Sequence, residues 1–301
     1  MRAFQPSIGR PEPLQRRDHR EVARLFRLSP QAHTHIDWRT LEEWVHVAET
    51  PQAEDGSVLD GWLVRQDGDI RSVLAATVHQ TPQGERIAWL RFILPGTSLR
   101  QQEVLDALWG ALSADLRERG VGQVALIIMD RWVTDFAAGW GFTETNAVVT
   151  RRRRQGPEPP PPDPPLVMRE VRGPAELDGV VRVDQAAFHG IWQYGRDTLA
   201  AAQREAATFS RLERDGQTVG YQLSTRHAAS GHLARLAVLP EAQGQGYGRL
   251  LIGHLLRFFE ERGISLITVN TQEDNIRSLR LYTGLGFEFT GHRAPVWTLD
   301  L

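Results

Sequence analysis

Two residue types are missing from this chain of 301 residues: there is no cysteine, and all 35 basic residues are arginine, so there is no lysine either. Without cysteine there is no disulfide, no thiolate metal site and no acyl-thioester carried on the protein itself. Acyl transfer would have to be direct. Without lysine there is no Walker-type phosphate loop and no Schiff base. A net charge of -2 lacks the basic surplus needed to coat nucleic acid or an anionic membrane. Long apolar runs are missing as well: Val124 to Met129 falls well short of the roughly 18 residues that span a bilayer. The opening Met1-Arg2-Ala3-Phe4-Gln5-Pro6 does not lead into a secretory apolar region. The expectation is a cytoplasmic protein with neither nucleic acid nor membrane as a partner.

What is present is ordinary globular material, with 41% hydrophobic and 24% charged residues. Single cores stop growing near about 250 to 300 residues, so two domains are expected. Residues 155–165, Gln-Gly-Pro-Glu-Pro-Pro-Pro-Pro-Asp-Pro-Pro, read as an extended, solvated linker between a domain at 1–154 and one at 166–301. An SH3-type ligand is the sharper reading of the same prolines, and the linker is preferred.

The halves repeat each other. Ala88 to Pro95 reads as a strand, Val104, Leu105, Leu108, Leu112 and Leu116 as one face of a helix, and Val124 to Met129 as a buried strand before Gly139-Trp140-Gly141-Phe142. In the same order stand Leu233 to Pro240, a helix Leu250 to Phe259, a strand Ser265 to Asn270, and Gly284-Leu285-Gly286-Phe287. Before these, the second half has a strand Leu166 to Val171, helices Pro174 to Phe188 and Thr198 to Ala207, and a hairpin turning at Asp215-Gly216. The order β-α-α-β-β-β-α-β-α implies an α/β sheet in each half.

Gln243-Gly244-Gln245-Gly246-Tyr247-Gly248 follows a strand and opens a helix, which offers backbone N–H groups and a helix N-terminus to an anion. The G-x-G-x-G spacing, late in its domain, is not the G-x-G-x-x-G of a dinucleotide fold. Downstream stand Asn275, Leu281-Tyr282 and Gly284-Leu285-Gly286-Phe287. With Leu236 to Glu241 ahead of the loop, these two motifs resemble the GNAT superfamily of N-acetyltransferases. The resemblance covers the second half and, more weakly, the first, and implies two tandem GNAT-like domains, each a mixed, mostly antiparallel central sheet flanked by helices. The tandem layout is similar to that of mycothiol synthase.

The resemblance further implies acetyl-CoA as co-substrate, with no metal. Leu236, Ala237 and Val238 would pair with its pantetheine arm, and Gln243, Gly244, Gln245, Gly246, Tyr247, Gly248 and Arg249 would hold its pyrophosphate. Asn275 and Ser278 would line the other side, and Tyr282 would protonate the departing thiolate. A base is needed for the acceptor ammonium; His232 is the candidate, an even step before Leu236 and so on the same strand face if no bulge intervenes. Trp192 and Tyr194 are either an aromatic wall for the acceptor or core packing.

In the first half Ser98-Leu99-Arg100-Gln101-Gln102-Glu103 stands where the glycine loop should be, and Ala137 where Tyr282 should be. This copy is expected to keep the fold without the catalysis. His33, His35 and His46 lack the partners of a metal site, and Arg151 to Arg154 read as a solvated face or strand end. The expected reaction is acetyl transfer to a primary amine, of a small molecule first, of a protein or peptide as the alternative. A non-catalytic acyl-CoA sensor is the third reading. The oligomeric state is not fixed by these residues.

Overall fold

The computed structural model describes residues 9–29, 31–35, 58–96, 100–161, 163 and 165–301; His46, Ser98 and Leu99 lie outside them. The chain forms two compact units, one of residues 1–145 with 295–301, the other of residues 146–294. Each is a mixed, mostly antiparallel sheet flanked by helices.

In the first unit the strands are β1 (Glu12–Pro13), β2 (His33–Thr34), β3 (Val58–Gln66), β4 (Asp69–Gln80), β5 (Arg86–Leu94) and β6 (Val121–Ile127), with helices α1 (His19–Leu28), α2 (Gln101–Glu118) and α3 (Trp132–Gly139). The meander β3-β4-β5 is antiparallel and β6 joins β5 in parallel across α2. Leu105, Leu108, Leu112 and Leu116 of α2 are fully buried against Ala88, Leu90, Val124 and Leu126, as the helical spacing of those leucines requires. On the other sheet face Val22 and Phe26 of α1 pack on Leu63, Val73 and Phe92.

The second unit follows β7 (Thr143–Arg153) with β8 (Leu166–Glu170), α4 (Pro174–Ala187), α5 (Arg196–Glu205), β9 (Thr208–Arg214), β10 (Gln217–His227), β11 (Ser230–Val238), α6 (Tyr247–Glu260), β12 (Leu266–Gln272), α7 (Ile276–Thr283) and β13 (Glu288–Asp300). The hairpin turns at Asp215 and Gly216, both at positive φ. Ile252, Leu255, Leu256 and Phe259 of α6 cover Leu233, Ile267 and Val269. The motif order holds, but the chain runs on past its last helix into β13, a strand the sequence pattern did not separate.

The units do not divide at the proline-rich stretch. Residues 296–300 of β13 pair antiparallel with β6 in the first unit, and residues 148–153 of β7 pair with β12 in the second. Each sheet is thus finished by a strand from the far half of the sequence, because the hydrogen-bond ladders of β6 and β12 take the partner that satisfies them. The proline stretch is not a free spacer either: Pro159 is buried, its carbonyl accepts from Arg257 Nη1 at 3.2 Å, and a side chain at Gly253 would collide with it. No helix among the described residues is long and apolar enough to cross a membrane.

Two outcomes are expected. Truncation after Ala294 should raise amide exchange of residues 121–127 by about tenfold or more, measured by mass spectrometry, while β9 and β10 keep their protection. Burial lowers His33, His79 and His232 to about 4 each, against about 6.5 in an unfolded chain. The folded state binds fewer protons, so this stability is complete above the unfolded value and is lost as pH falls from about 6.5 toward 4. Urea midpoints at pH 7.5, 6 and 5 should decline in that order, and His79→Gln should flatten the decline.

Candidate functional site

The glycine loop is assembled at the C-terminal end of β11. Gly244 and Gly246 have φ of +80° and +83°, which a side chain would resist, and space above both is open. Gly246 is the N-cap of α6 and no side chain caps the helix, so its first N–H groups lie open at the loop. Gln243 Nε2 ties the loop to the strand by donating to Val238 O at 2.9 Å. Gln245 Oε1 accepts from Tyr247 Oη at 2.9 Å and from Arg214 Nη1 at 3.2 Å, so these two side chains brace the loop against the end of β9.

Strand β11 carries a bulge. Leu223 faces Arg235 and Ser224 faces Leu233, which leaves Ala234 as the extra residue. Beyond the bulge β11 has lost its other neighbour: the parallel pairing with β12 runs only from Ser230↔Leu266 to Leu233↔Val269. Leu239 N–H donates to Val219 O at 2.9 Å. Alternation along the antiparallel ladder then makes Tyr221↔Ala237 a hydrogen-bonded pair and turns the N–H and C=O of Leu236 and Val238 toward the side that β12 has left. Of the three strand residues named from the sequence, Leu236 and Val238 turn backbone groups to that side, the Val238 carbonyl already accepting from Gln243 Nε2, and Ala237 pairs with Tyr221 of β10.

The bulge also separates His232 from Leu236. A side chain at Gly231 would strike Phe259 and Ile267, and Leu233 and Leu236 pack with the α6 core. His232 faces the opposite side, where its Nδ1 meets Thr268 Oγ1 at 2.8 Å. The even-step premise fails, since one extra residue reverses the side-chain alternation. Burial, and secondarily His227, lower His232 to about 4, a poor match for deprotonating an ammonium.

Tyr282 lies on the same sheet face as Leu236, in the core of α6 and α7, 4% exposed, with its ring 5.6 Å from that of Phe287. Burial raises its phenol well above the ordinary value, so it is protonated throughout the physiological range. The turn after it is gripped by the inward residues of the arginine run. Arg151 Nη2 donates to Phe287 O at 2.7 Å and Thr283 Oγ1 at 2.9 Å, and Arg153 Nε donates to Leu285 O at 2.8 Å. Cations at helix-terminal carbonyls are favourable. Asn275 caps α7, its Oδ1 accepting from Ser278 N–H at 3.1 Å, and Arg249 lies beside Gly284.

Asp184, Arg235 and Tyr221 form a network that the motifs did not reveal. Asp184, fully buried, accepts from Arg235 Nε at 2.8 Å, Arg235 Nη2 at 2.9 Å, the Tyr194 N–H at 2.8 Å and the Tyr221 hydroxyl. The Arg235 guanidinium is stacked 3.7 Å from both Phe188 and Tyr194 and donates to Trp192 O at 2.6 Å. Burial by itself would depress Arg235; the Asp184 charge outweighs it and holds it above its ordinary value. Tyr194 is therefore a packing residue of the 188–195 segment. The legible signal was one acid in the apolar face of α4 and one arginine inside an apolar strand.

Residues 177–287 match the Acetyltransferase (GNAT) family. This match lies within the second unit. It is 36% identical over 137 residues to the mycothiol acetyltransferase of Stackebrandtia nassauensis, a match covering 40% of this chain and 42% of that one. It is 28% identical over 112 residues to the [ribosomal protein bS18]-alanine N-acetyltransferase of Escherichia coli, covering 37% and 74%. A solved tandem GNAT protein from the clavulanic acid biosynthesis pathway superposes with a TM-score of 0.64 at 20% identity, over 96% of this chain and 98% of that one. This last likeness extends the GNAT fold to both units.

Breaking one partner of a buried pair leaves a charge uncompensated, at a cost of roughly 3–5 kcal/mol. Asp184→Ala should lower unfolding stability by about that amount, read from urea denaturation.

Proposed function

We propose that the second unit transfers an acetyl group directly from acetyl-CoA to a primary amine of a small molecule. The observation that carries this reading is the open edge at Leu236 and Val238, which runs straight into a loop of left-handed glycines and an uncapped helix start. A ligand with an amide-bearing arm joined to a pyrophosphate matches that sequence of donors and acceptors. The loop amides from Gly244 to Gly248, with Arg249 nearby, would take the phosphate charge. Asn275 and Ser278 have committed Oδ1 and N–H to the α7 cap, leaving the Asn275 amide N–H groups and the Ser278 hydroxyl for the donor's arm.

In the reaction the neutral amine nitrogen attacks the thioester carbonyl carbon, the carbon–sulfur bond breaks, and the proton that the nitrogen sheds on becoming an amide passes through solvent to restore the Tyr282 phenol. A strand N–H facing the open edge would polarise the carbonyl oxygen. Tyr282 gives its proton to the departing sulfur; burial keeps that proton on the phenol until it is needed. His232 takes no part in this scheme, being neutral, weakly basic and turned to the other face. The mycothiol acetyltransferase relatives favour a small-molecule acceptor, and the ribosomal-protein relative keeps a protein or peptide acceptor as the second reading.

Calorimetric titration of acetyl-CoA should give one-to-one binding to the wild type and none to Gly246→Glu, which fills the open loop; absence of wild-type binding would overturn the reading. In a screen of amines and N-terminal peptides against acetyl-CoA, Tyr282→Phe should bind the donor as the wild type does but turn over about 10²-fold more slowly. Turnover of peptides but not small amines would decide for the second reading.

A further inference from the structure

The first unit repeats the bulge and the splay. Ala75 faces Phe92 and Ala76 faces Leu90, so Arg91 is the extra residue of β5, as Ala234 is of β11. The parallel pairing of β5 with β6 stops at Trp89↔Ala125. In the second unit no described strand takes the edge so vacated. In the first unit one does: His33 pairs with Ile93 and Thr34 with Phe92, and His35 N–H donates to Arg91 O at 2.9 Å. The other edge of β5 is held by β4 all the way to Leu94, so residues 33–35 lie in the gap that β6 leaves.

We infer that the groove of the first unit is a binding site for an extended peptide strand, filled in cis by His33-Thr34-His35, and that it is thereby closed to acyl-CoA. The assignment stands on the strand register of the first unit and does not depend on the function proposed for the second.

The segment is latched as well as paired. Arg91 has the long side chain that Ala234 lacks, and it is turned onto the inserted strand. Its Nη1 meets His35 Nδ1 at 3.0 Å and donates to His35 O at 3.3 Å, while Nε donates to Thr77 Oγ1 at 3.0 Å. Burial first, and the Arg91 charge second, keep the His35 ring neutral, which leaves its Nδ1 free to accept. The ring lies 5.3 Å from that of Trp89, and the His33 side chain is wholly buried. A pantetheine arm would need the same backbone groups of Arg91 and Ile93 that the segment occupies. The glycine-free stretch that begins α2 removes the phosphate site at the end of the same groove.

Amide exchange by mass spectrometry on the intact chain, with and without saturating acetyl-CoA, tests this directly. Segments 33–35 and 90–94 should be protected in the free protein and unchanged by acetyl-CoA, whereas 235–239 should gain protection. New protection at 90–94 on adding acetyl-CoA, or fast exchange there without it, would overturn the inference. A failure of 235–239 to respond would count against the function proposed for the second unit and leave this result standing. Two variants sharpen the test: Arg91→Ala and His35→Pro should each raise exchange at 90–94 by about tenfold, the weight of one lost hydrogen bond, with 208–227 unaffected. Wild-type exchange at 90–94 in both would show that the segment does not fill the groove.

Discussion

A strand edge inside a protein has to be answered, since a buried N–H or carbonyl without a partner costs as much as a lost hydrogen bond. Both sheets raise this demand at the same place, where a bulged strand parts from its parallel neighbour after four paired residues of that strand. In the second unit the gap opens beside Leu236 and Val238 and leads to the glycine loop; in the first it is taken by the chain's own residues 33–35. One architecture thus yields a cleft in one copy and a filled groove in the other. The two copies differ there in the bulge residue, Ala234 against Arg91, in the pairing of residues 33–34 with β5, and in the glycines at the following helix start.

Holding such a gap open needs rigid surroundings. On the open side of the second unit, α6 and α7 bury Tyr282 beside Phe287, and Arg151 and Arg153 fasten the turn that follows. On the opposite face the Asp184–Arg235 pair joins α4, β10, β11 and the 188–195 segment at a single desolvated centre. Such a centre is expensive to desolvate and tolerates little displacement, which suits a device that fixes position more than one that adds net stability. Arg235 sits directly between the bulge and Leu236, so the same residue anchors the segment and the start of the open edge.

Much of this could be read along the chain. The internal repeat, the strand–loop–helix order and the hairpin turn at Asp215-Gly216 follow from local patterns of apolar spacing and turn chemistry, and they appear where those patterns put them. His232 shows the limit of such reading: alternation is a local rule, and one extra residue at Ala234 reverses it without leaving any mark in composition. The domain edges show another limit, because a proline-rich run signals extended backbone but not whether that backbone is packed, and Pro159 is packed.

The sequence by itself determined the elements and their order, and it carried the resemblance, since these rest on residue types at short spacings. Tertiary structure alone decided which strand completes which sheet, which backbone groups remain open, and that Asp184 meets Arg235 and His35 meets Arg91. Those outcomes depend on hydrogen-bond partners and charges brought together from about 50 or more positions apart. No local pattern encodes such a meeting, because the ladder of one strand is completed by whichever distant segment satisfies it at least cost.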